Sequence, residues 1–339
     1  MRSLCLKVPK GKGEHVRKKL LEGDLLDVSL KVRREGDLVL FPVTSGTAGD
    51  LGYELAEEEF EERELAESDY KDLVDVPSDL RDVLPTSFDV IGEVAIIKLP
   101  EELLPYKAQV GLALRRAFPR LTTVALDKGV KGELRVRDLE VIAGGPSTET
   151  LHTEYGIRLL VDPARTYFNP RLSNERFRVA RLVKPGEVVI DMFAGVGPFA
   201  IMMARHAAPK AVYAIDLNPD AVEYMRRNID MNRAGIVVPI LGDARTVLPG
   251  LPMSDRIIMN LPHCAIDFLS DAFAKLKGGG TVHLYHICER DEIDRAADHI
   301  ESIGQSLGID ILVSRLEELK TYSPSMGVFA FDLSLAERV

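Results

Sequence analysis

No tryptophan occurs in this 339-residue sequence, glutamine appears only as Gln109 and Gln305, and there are three cysteines, Cys5, Cys264 and Cys288. Cysteines so few and so scattered supply neither a disulfide framework nor the ligand spacing of a zinc site, so no metal and a reducing, cytoplasmic setting are expected. No apolar run approaches the ~20 residues that a membrane-spanning helix needs. The opening Met1-Arg-Ser-Leu-Cys-Leu-Lys-Val8 lacks the pattern of a signal peptide. Few thermolabile residues beside abundant Glu, Lys and Arg have the cast of a thermophile.

What is present reads as a globular chain of two or three domains, with 46% apolar and 28% charged residues. The net charge of −10 conceals an asymmetry. Residues 50–104 carry 18 acids against 4 bases, and residues 105–181 carry 14 bases against 8 acids. Local potential, not the average, attracts phosphate, so a nucleic-acid partner stays open.

Residues 1–45 read as a small basic α+β unit, with a strand at 4–8, a helix at 13–22 and a hairpin across Glu35-Gly36-Asp37. Its cluster Lys7, Lys10, Lys12, Arg17, Lys18 and Lys19 fits either a solvated face or an RNA-backbone contact. Residues 46–72 read as an acidic linker, solvated or helical. Residues 73–165 form a second α+β unit, with a strand pair turning at Gly92-Glu93, a helix at 103–118 and a hairpin turning at Tyr155-Gly156. Between them, Arg135 and Arg137 alternate with Leu134 and Val136. That pattern suits either a structural ion-pair row or a pair that binds phosphate or developing charge.

Residues 166–339 hold the stretch around which the rest is organised, Val188-Val-Ile-Asp-Met-Phe-Ala-Gly-Val-Gly-Pro-Phe199. An apolar run ends in Asp191, Gly195 and Gly197 permit a tight turn, and Pro198 suits the first turn of a helix. A second apolar run, 211–215, ends in Asp216, 21 residues after Gly195. That is close to the ~20 at which an acid meets ribose hydroxyls in nucleotide-binding folds. A third run ends in Asp243 and a fourth in Asn260-Leu-Pro262. Four polar groups closing successive strands mark the ligand edge of an open α/β sheet. Upstream, Ser173 or Asn174 is placed to cap a helix whose first turn holds Glu175 and Arg176.

This order resembles class I S-adenosylmethionine (SAM) methyltransferases. The implied fold is α/β, a C-terminal class I SAM-methyltransferase (Rossmann-like) domain preceded by two smaller α+β domains. Five stretches resemble one family more closely, the archaeal and eukaryotic tRNA (guanine-N1)-methyltransferases that act at position 37. They are Val130-Lys-Gly-Glu-Leu-Arg-Val-Arg-Asp-Leu-Glu140, Tyr167-Phe-Asn-Pro-Arg-Leu-Ser-Asn-Glu-Arg176, Asp191-Met-Phe-Ala-Gly-Val-Gly-Pro-Phe199, Ala214-Ile-Asp-Leu-Asn-Pro219 and Met259-Asn-Leu-Pro262.

The resemblance implies SAM as cofactor and tRNA as partner, touched at the anticodon loop and, through the N-terminal unit, at the outer corner. No protein partner is evident, and a monomer is expected. The resemblance also implies Glu175 as general base, Arg135 as the donor to the purine oxygen, and Asn260 and Pro262 as the frame of the target base. Arg176, Asp191, Phe193, Gly195, Gly197, Asp216, Leu217, Asp243, Ala244 and Asn260 would form the SAM site. Tyr167, Arg171, Arg137 and Lys131 would meet the substrate. Ser173-Asn174 and Asp127-Lys128 depart from the family pattern and touch no implied catalytic group.

Other readings compete. Asn260-Leu-Pro-His263 lacks the aromatic of exocyclic-amine methyltransferases. Cys264 lies past Pro262, where a cytosine-C5 nucleophile would not stand, and reads as a packing residue. A related wyosine-pathway enzyme, transferring an aminocarboxypropyl group or methylating the precursor imG-14, is one alternative. A non-catalytic tRNA-binding protein is the other.

Overall fold

A computed structural model describes residues 2–22, 25–27, 30–44, 46–61, 69–132, 134, 136–323 and 325–335. The chain divides into two compact units, Met1–Leu73 and Val74–Val339.

The first unit contains β1 (Arg2–Pro9), α1 (Gly13–Glu22), β2 (Arg33–Glu35), β3 (Leu38–Pro42) and β4 (Glu54–Glu59). Its strands form one antiparallel sheet in the order β2-β3-β1-β4. Val16 and Leu20 of α1 join Leu6, Val8 and Phe41 in its core, as the helical spacing requires. The expected acidic linker at 46–72 is corrected here, because Glu54–Glu59 is an edge strand paired with β1. Glu58 lies 3.0 Å from both Lys7 and Arg33, so cations offset the charge that made the segment read as solvated. Residues 62–68 of that expected linker lie outside the described residues.

The second unit opens with β5 (Asp89–Ile91), β6 (Val94–Ile97), α2 (Lys107–Ala117), β7 (Thr123–Lys131) and β8 (Val136–Gly144), the strands ordered β5-β6-β7-β8. The helix expected at 103–118 begins later. Pro105 sits in a 3-10 turn over Glu101–Tyr106, since it cannot donate the hydrogen bond that an α-helix interior needs. A hairpin of β9 (Thr150–Glu154) and β10 (Ile157–Val161) follows.

The remainder alternates helix and strand: α3 (Ser173–Leu182), β11 (Val188–Asp191), α4 (Pro198–His206), β12 (Ala211–Asp216), α5 (Pro219–Asn232), β13 (Val237–Leu241), α6 (Ala244–Val247) and β14 (Ser254–Met259). Then come α7 (Leu269–Ala274), β15 (Leu276–Glu289), α8 (Ile293–Leu307), β16 (Ile311–Thr321) and β17 (Met326–Leu335). Seven strands form one sheet in the order β13-β12-β11-β14-β15-β17-β16. The first five are parallel, and β17 runs antiparallel to both of its neighbours. Both faces are covered, which is why β11 reads as an unbroken apolar run. Val189 packs with Val179, Phe199 and Val222 on one side, while Ile190 packs with Leu269 and Ile300 on the other.

The boundary expected between residues 165 and 166 does not separate two cores. Ile91, Ile157 and Val161 share one apolar cluster with Val179, Val189 and Phe199. Asn228 and Asn232 of α5 accept from the amides of Leu160 and Arg158 at 2.7 and 2.8 Å, tying the hairpin to the larger sheet.

Candidate active site

The turn after β11 has the backbone its glycines predict, with Gly195 at φ +56° and Gly197 at φ +84°. A Cβ on Gly197 would stand 2.8 Å from Met225 Cγ, so the close approach of α5 also demands glycine there. Pro198 is the first residue of α4. The Gly195 amide donates to Asp216 Oδ2 at 2.6 Å and the Asn218 amide to Asp216 Oδ1 at 2.8 Å, so the turn and the end of β12 hold one carboxylate between them. Burial pushes that carboxyl up, opposed by the amides of Asn218, Gly195 and Leu217. Asp243 caps α6, accepting from the Arg245 amide at 2.7 Å.

These groups open onto a cavity of about 440 Å³. The wall contributed by the seven-stranded sheet includes Phe193, Gly195, Asp216, Leu217, Asp243 and Ala244, then Asn260 and Pro262. Tyr167, Leu172 and Arg176 also line it, with Arg137 from β8. Asn260 Oδ1 is buried and has no hydrogen-bond partner among the described residues. A buried acceptor left open on a cavity wall is a place for a ligand's donor. An acid at the ribose distance, this open amide oxygen and apolar Phe193 and Leu217 are the acceptors and apolar surfaces that a nucleoside cofactor would meet.

Several expected site residues stand elsewhere. Asp191 is 1% exposed and lies behind the turn, off the cavity wall. Neither of its oxygens makes a well-formed hydrogen bond among the described residues. Burial pushes the carboxyl up to about 8, the Phe193 amide offsetting this only in part and Asp216 adding repulsion. A folded-state value above the unfolded one means that stability is full below the unfolded value near 4 and is lost as pH rises toward 8. Asp191→Asn is therefore expected to raise the melting temperature by several degrees at pH 8 and to change it little near pH 4. Melting curves at both pH values check this, and an equal difference at the two would contradict it.

Gly197 shapes the turn and is likewise off the wall. Lys131 is exposed and donates to Asp138 at 3.0 Å, away from the cavity. Arg171 is exposed beside the cavity and donates to Asp89 at 2.9 Å. Arg135 lies outside the described residues.

Arg176 reaches the wall but is 1% exposed. It donates to Glu154 at 2.6 and 2.5 Å and to the Asn169 carbonyl at 3.1 Å. Glu175 sits behind the wall, 6% exposed. Arg178 donates to it twice at 2.8 Å, Arg315 at 3.1 and 3.3 Å, and the Tyr285 hydroxyl at 2.9 Å. Burial raises this carboxyl, yet Arg178 and Arg315 outweigh it and hold the group below its ordinary value. The expected cap at Ser173 or Asn174 is corrected too. Asn169 accepts from the Arg171 amide and opens a 3-10 turn over Pro170–Leu172 that feeds α3.

Three wall residues carried no sequence signal. Asp89 accepts from both Arg137, at 3.0 Å, and Arg171. Lys320 is pushed down by burial beside Arg171 and Arg137. Tyr322 packs edge-to-face on His263. Asp127, where the family pattern is departed from, lines the wall and accepts from Arg137 at 3.5 Å.

The chain is similar to known proteins along nearly its whole length. Residues 150–312 match the TRM5/TYW2 methyltransferase domain, residues 71–148 the TYW2 N-terminal domain and residues 5–51 the tRNA methyltransferase 5 N-terminal domain. The chain is 41% identical over 337 residues to tRNA (guanine(37)-N(1))-methyltransferase Trm5b of Pyrococcus abyssi, covering 98% of this chain and 99% of that one. The crystal structure of Trm5b from Pyrococcus abyssi matches with a TM-score of 0.74 over 98% of this chain and 99% of that one. Methanocaldococcus jannaschii Trm5 in complex with adenosine is 33% identical, with 99% and 100% of the two chains covered and a TM-score of 0.67. The complex of aTrm5 and tRNALeu is 32% identical, with 98% and 100% covered and a TM-score of 0.68. This chain belongs to the TRM5/TYW2 methyltransferase family.

Proposed function

We propose that this chain transfers a methyl group from SAM to N1 of guanosine 37 in tRNA. The observation that carries the reading is full-length likeness to Trm5b at 41% identity, with three family matches in order along one chain. When bound, SAM supplies the electrophilic methyl carbon, the electrons of its C–S bond leaving with sulfur. Asp216, steadied by the Gly195 and Asn218 amides, would hold the ribose hydroxyls. Asp243-Ala244 would border the adenine, and the glycine turn with Phe193 would enclose the methionine end.

Guanine N1 carries a hydrogen and attacks poorly until that proton leaves. Glu175 takes it, which requires Arg178 and Arg315 to yield part of their hold on the carboxylate. Arg135 donates to O6 as negative charge builds there. Asn260 offers its open acceptor to the base, and the Pro262 carbonyl, accepting from the Ile287 amide at 2.9 Å, ties that loop to β15. Tyr167 and Arg137 line the substrate side of the cleft, and the exposed Arg171 and Lys131 reach the RNA backbone. The basic N-terminal unit meets the outer corner of the tRNA while the anticodon loop enters the cleft. The protein acts as a monomer in the cytoplasm, where this substrate resides.

The test uses labelled SAM and two unmodified transcripts that differ only at position 37, followed by nucleoside mass spectrometry. 1-Methylguanosine from the G37 transcript alone is expected. Labelled RNA without 1-methylguanosine would overturn the chemistry, with a product heavier by the aminocarboxypropyl group pointing to the wyosine-pathway reaction. No labelled RNA with either transcript would overturn the enzymatic reading.

A further inference from the structure

Glu175 is one end of a chain of polar groups, buried except at the half-buried Arg178, that crosses three strands. Arg178 donates to Glu175 on one side and to Asp332 of β17 on the other, at 2.9 and 3.1 Å. Asp332 Oδ1 lies 2.6 Å from His283 Nδ1 on β15, and His283 Nε2 lies 2.6 Å from Arg256 Nη1 on β14. Arg256 is anchored in turn by Glu187, at 3.0 and 3.3 Å, and by the Leu182 carbonyl at 2.9 Å. Asp332 is 7% exposed, His283 1% and Arg256 5%.

The donor and acceptor roles follow from chemistry. A guanidinium has no lone pair to offer, so His283 Nε2 must accept from Arg256. The single ring proton is then on Nδ1 and is donated to Asp332. Burial lowers the basicity of His283, and Arg256 and Arg178 add to this against the pull of Asp332, so the ring stays neutral. Asp332 is held far below the usual carboxylate range, burial being outweighed by His283 and Arg178. It is a permanent anion facing Arg178 from the side opposite Glu175. The groups facing Glu175 itself are Arg178 on its own helix, Arg315 on β16 and the Tyr285 hydroxyl on β15.

We propose that Asp332, held as an anion by the proton that His283 Nδ1 donates to it, is a positioning residue for the reaction, sharing Arg178 so that Glu175 can release the guanidinium and accept the N1 proton. This rests on the reading of Glu175 as the base. In the step itself the N1–H bond breaks, the proton passes to a Glu175 oxygen, and the nitrogen electron pair forms the bond to the methyl carbon. With Asp332 neutral, Arg178 has one anion left to pair with and closes on Glu175. The carboxylate becomes a weaker base and a more firmly held one.

Single-turnover rates of methyl transfer across pH test this, with SAM affinity measured alongside. Asp332→Asn, which keeps the side-chain shape, is expected to lower the plateau rate by roughly tenfold and to move the acid limb to lower pH, with SAM affinity unchanged. Arg178→Gln is expected to move the acid limb the other way, to higher pH, because Glu175 loses its strongest pairing cation. Asp332→Glu should recover part of the rate. If either folded variant leaves the acid limb where the unmodified protein has it, the pair is merely structural and the proposal fails. Glu175→Gln separates the two levels: an unchanged rate there removes the base reading, whereas a collapsed rate with an unmoved limb in the other variants removes this proposal alone.

Discussion

Glu175→Gln lowers the single-turnover rate of methyl transfer by about 10²- to 10⁴-fold and leaves SAM affinity almost unchanged. The expectation combines two facts. Guanine N1 needs a proton acceptor, and an amide oxygen cannot replace a carboxylate in that task. Glu175 is also not among the residues that line the cavity with Asp216 and Asp243, so the cofactor side should not register the change. The substitution would not unfold the chain through orphaned cations. Arg178 keeps Asp332, at 2.9 and 3.1 Å, and Arg315 keeps Glu317, at 3.0 and 2.6 Å. A single-turnover rate equal to that of the unmodified protein would remove Glu175 from the mechanism. A rate loss accompanied by a proportionate loss of SAM affinity would place its effect on binding instead.

Removing the charge of Arg176 is expected to have the largest effect on stability. Its guanidinium is buried in a two-bond pair with Glu154, donates to the Asn169 carbonyl and lies 5.2 Å from the centre of the Phe168 ring. Arg176→Met strands Glu154, itself 7% exposed, with the His152 ring at 3.6 Å as its remaining neighbour among the described residues. Breaking a buried pair in this way costs about 3–5 kcal/mol, whereas replacing both partners with apolar groups is often neutral. The double change Arg176→Met with Glu154→Leu should therefore recover most of the melting temperature that the single change loses. Denaturation of both variants, with SAM titrations on each, decides between roles. If Arg176 serves mainly as a SAM contact, the single variant would melt normally and bind SAM weakly. If it is the anchor of α3, stability falls and returns with the double change.

This pair shows where sequence reading reaches its limit. Arg176 is expected as a site residue only through the resemblance that the Asn-Glu-Arg run carries, and nothing in that run indicates that its charge is spent on a strand 22 residues earlier. Glu175 is similar. Its spacing to Arg178 on one helix is visible in the chain, but its bonds to Arg315 and Tyr285 span 140 and 110 residues. The acidic segment around residue 58 was misread for the same reason, since its compensating cations, Lys7 and Arg33, lie far away in sequence.

What the sequence by itself determined is the local grammar of the cleft. The apolar runs of β11 to β14, the glycines of the turn, Pro198 at a helix start, and Asp216, Asp243 and Asn260 at strand ends are set by backbone sterics, strand burial and capping. All of these act over a few residues, and each group falls where its local pattern puts it. What only the tertiary structure decided is which charges are free to act. Folding spends Arg176 on Glu154 and clamps Glu175 between Arg178 and Arg315. It turns Lys131 onto Asp138 and leaves Asn260 Oδ1 open on the wall. The physical reason is that a charge taken out of water must find its counter-charge, and in a folded chain that partner is chosen by proximity in space rather than along the sequence.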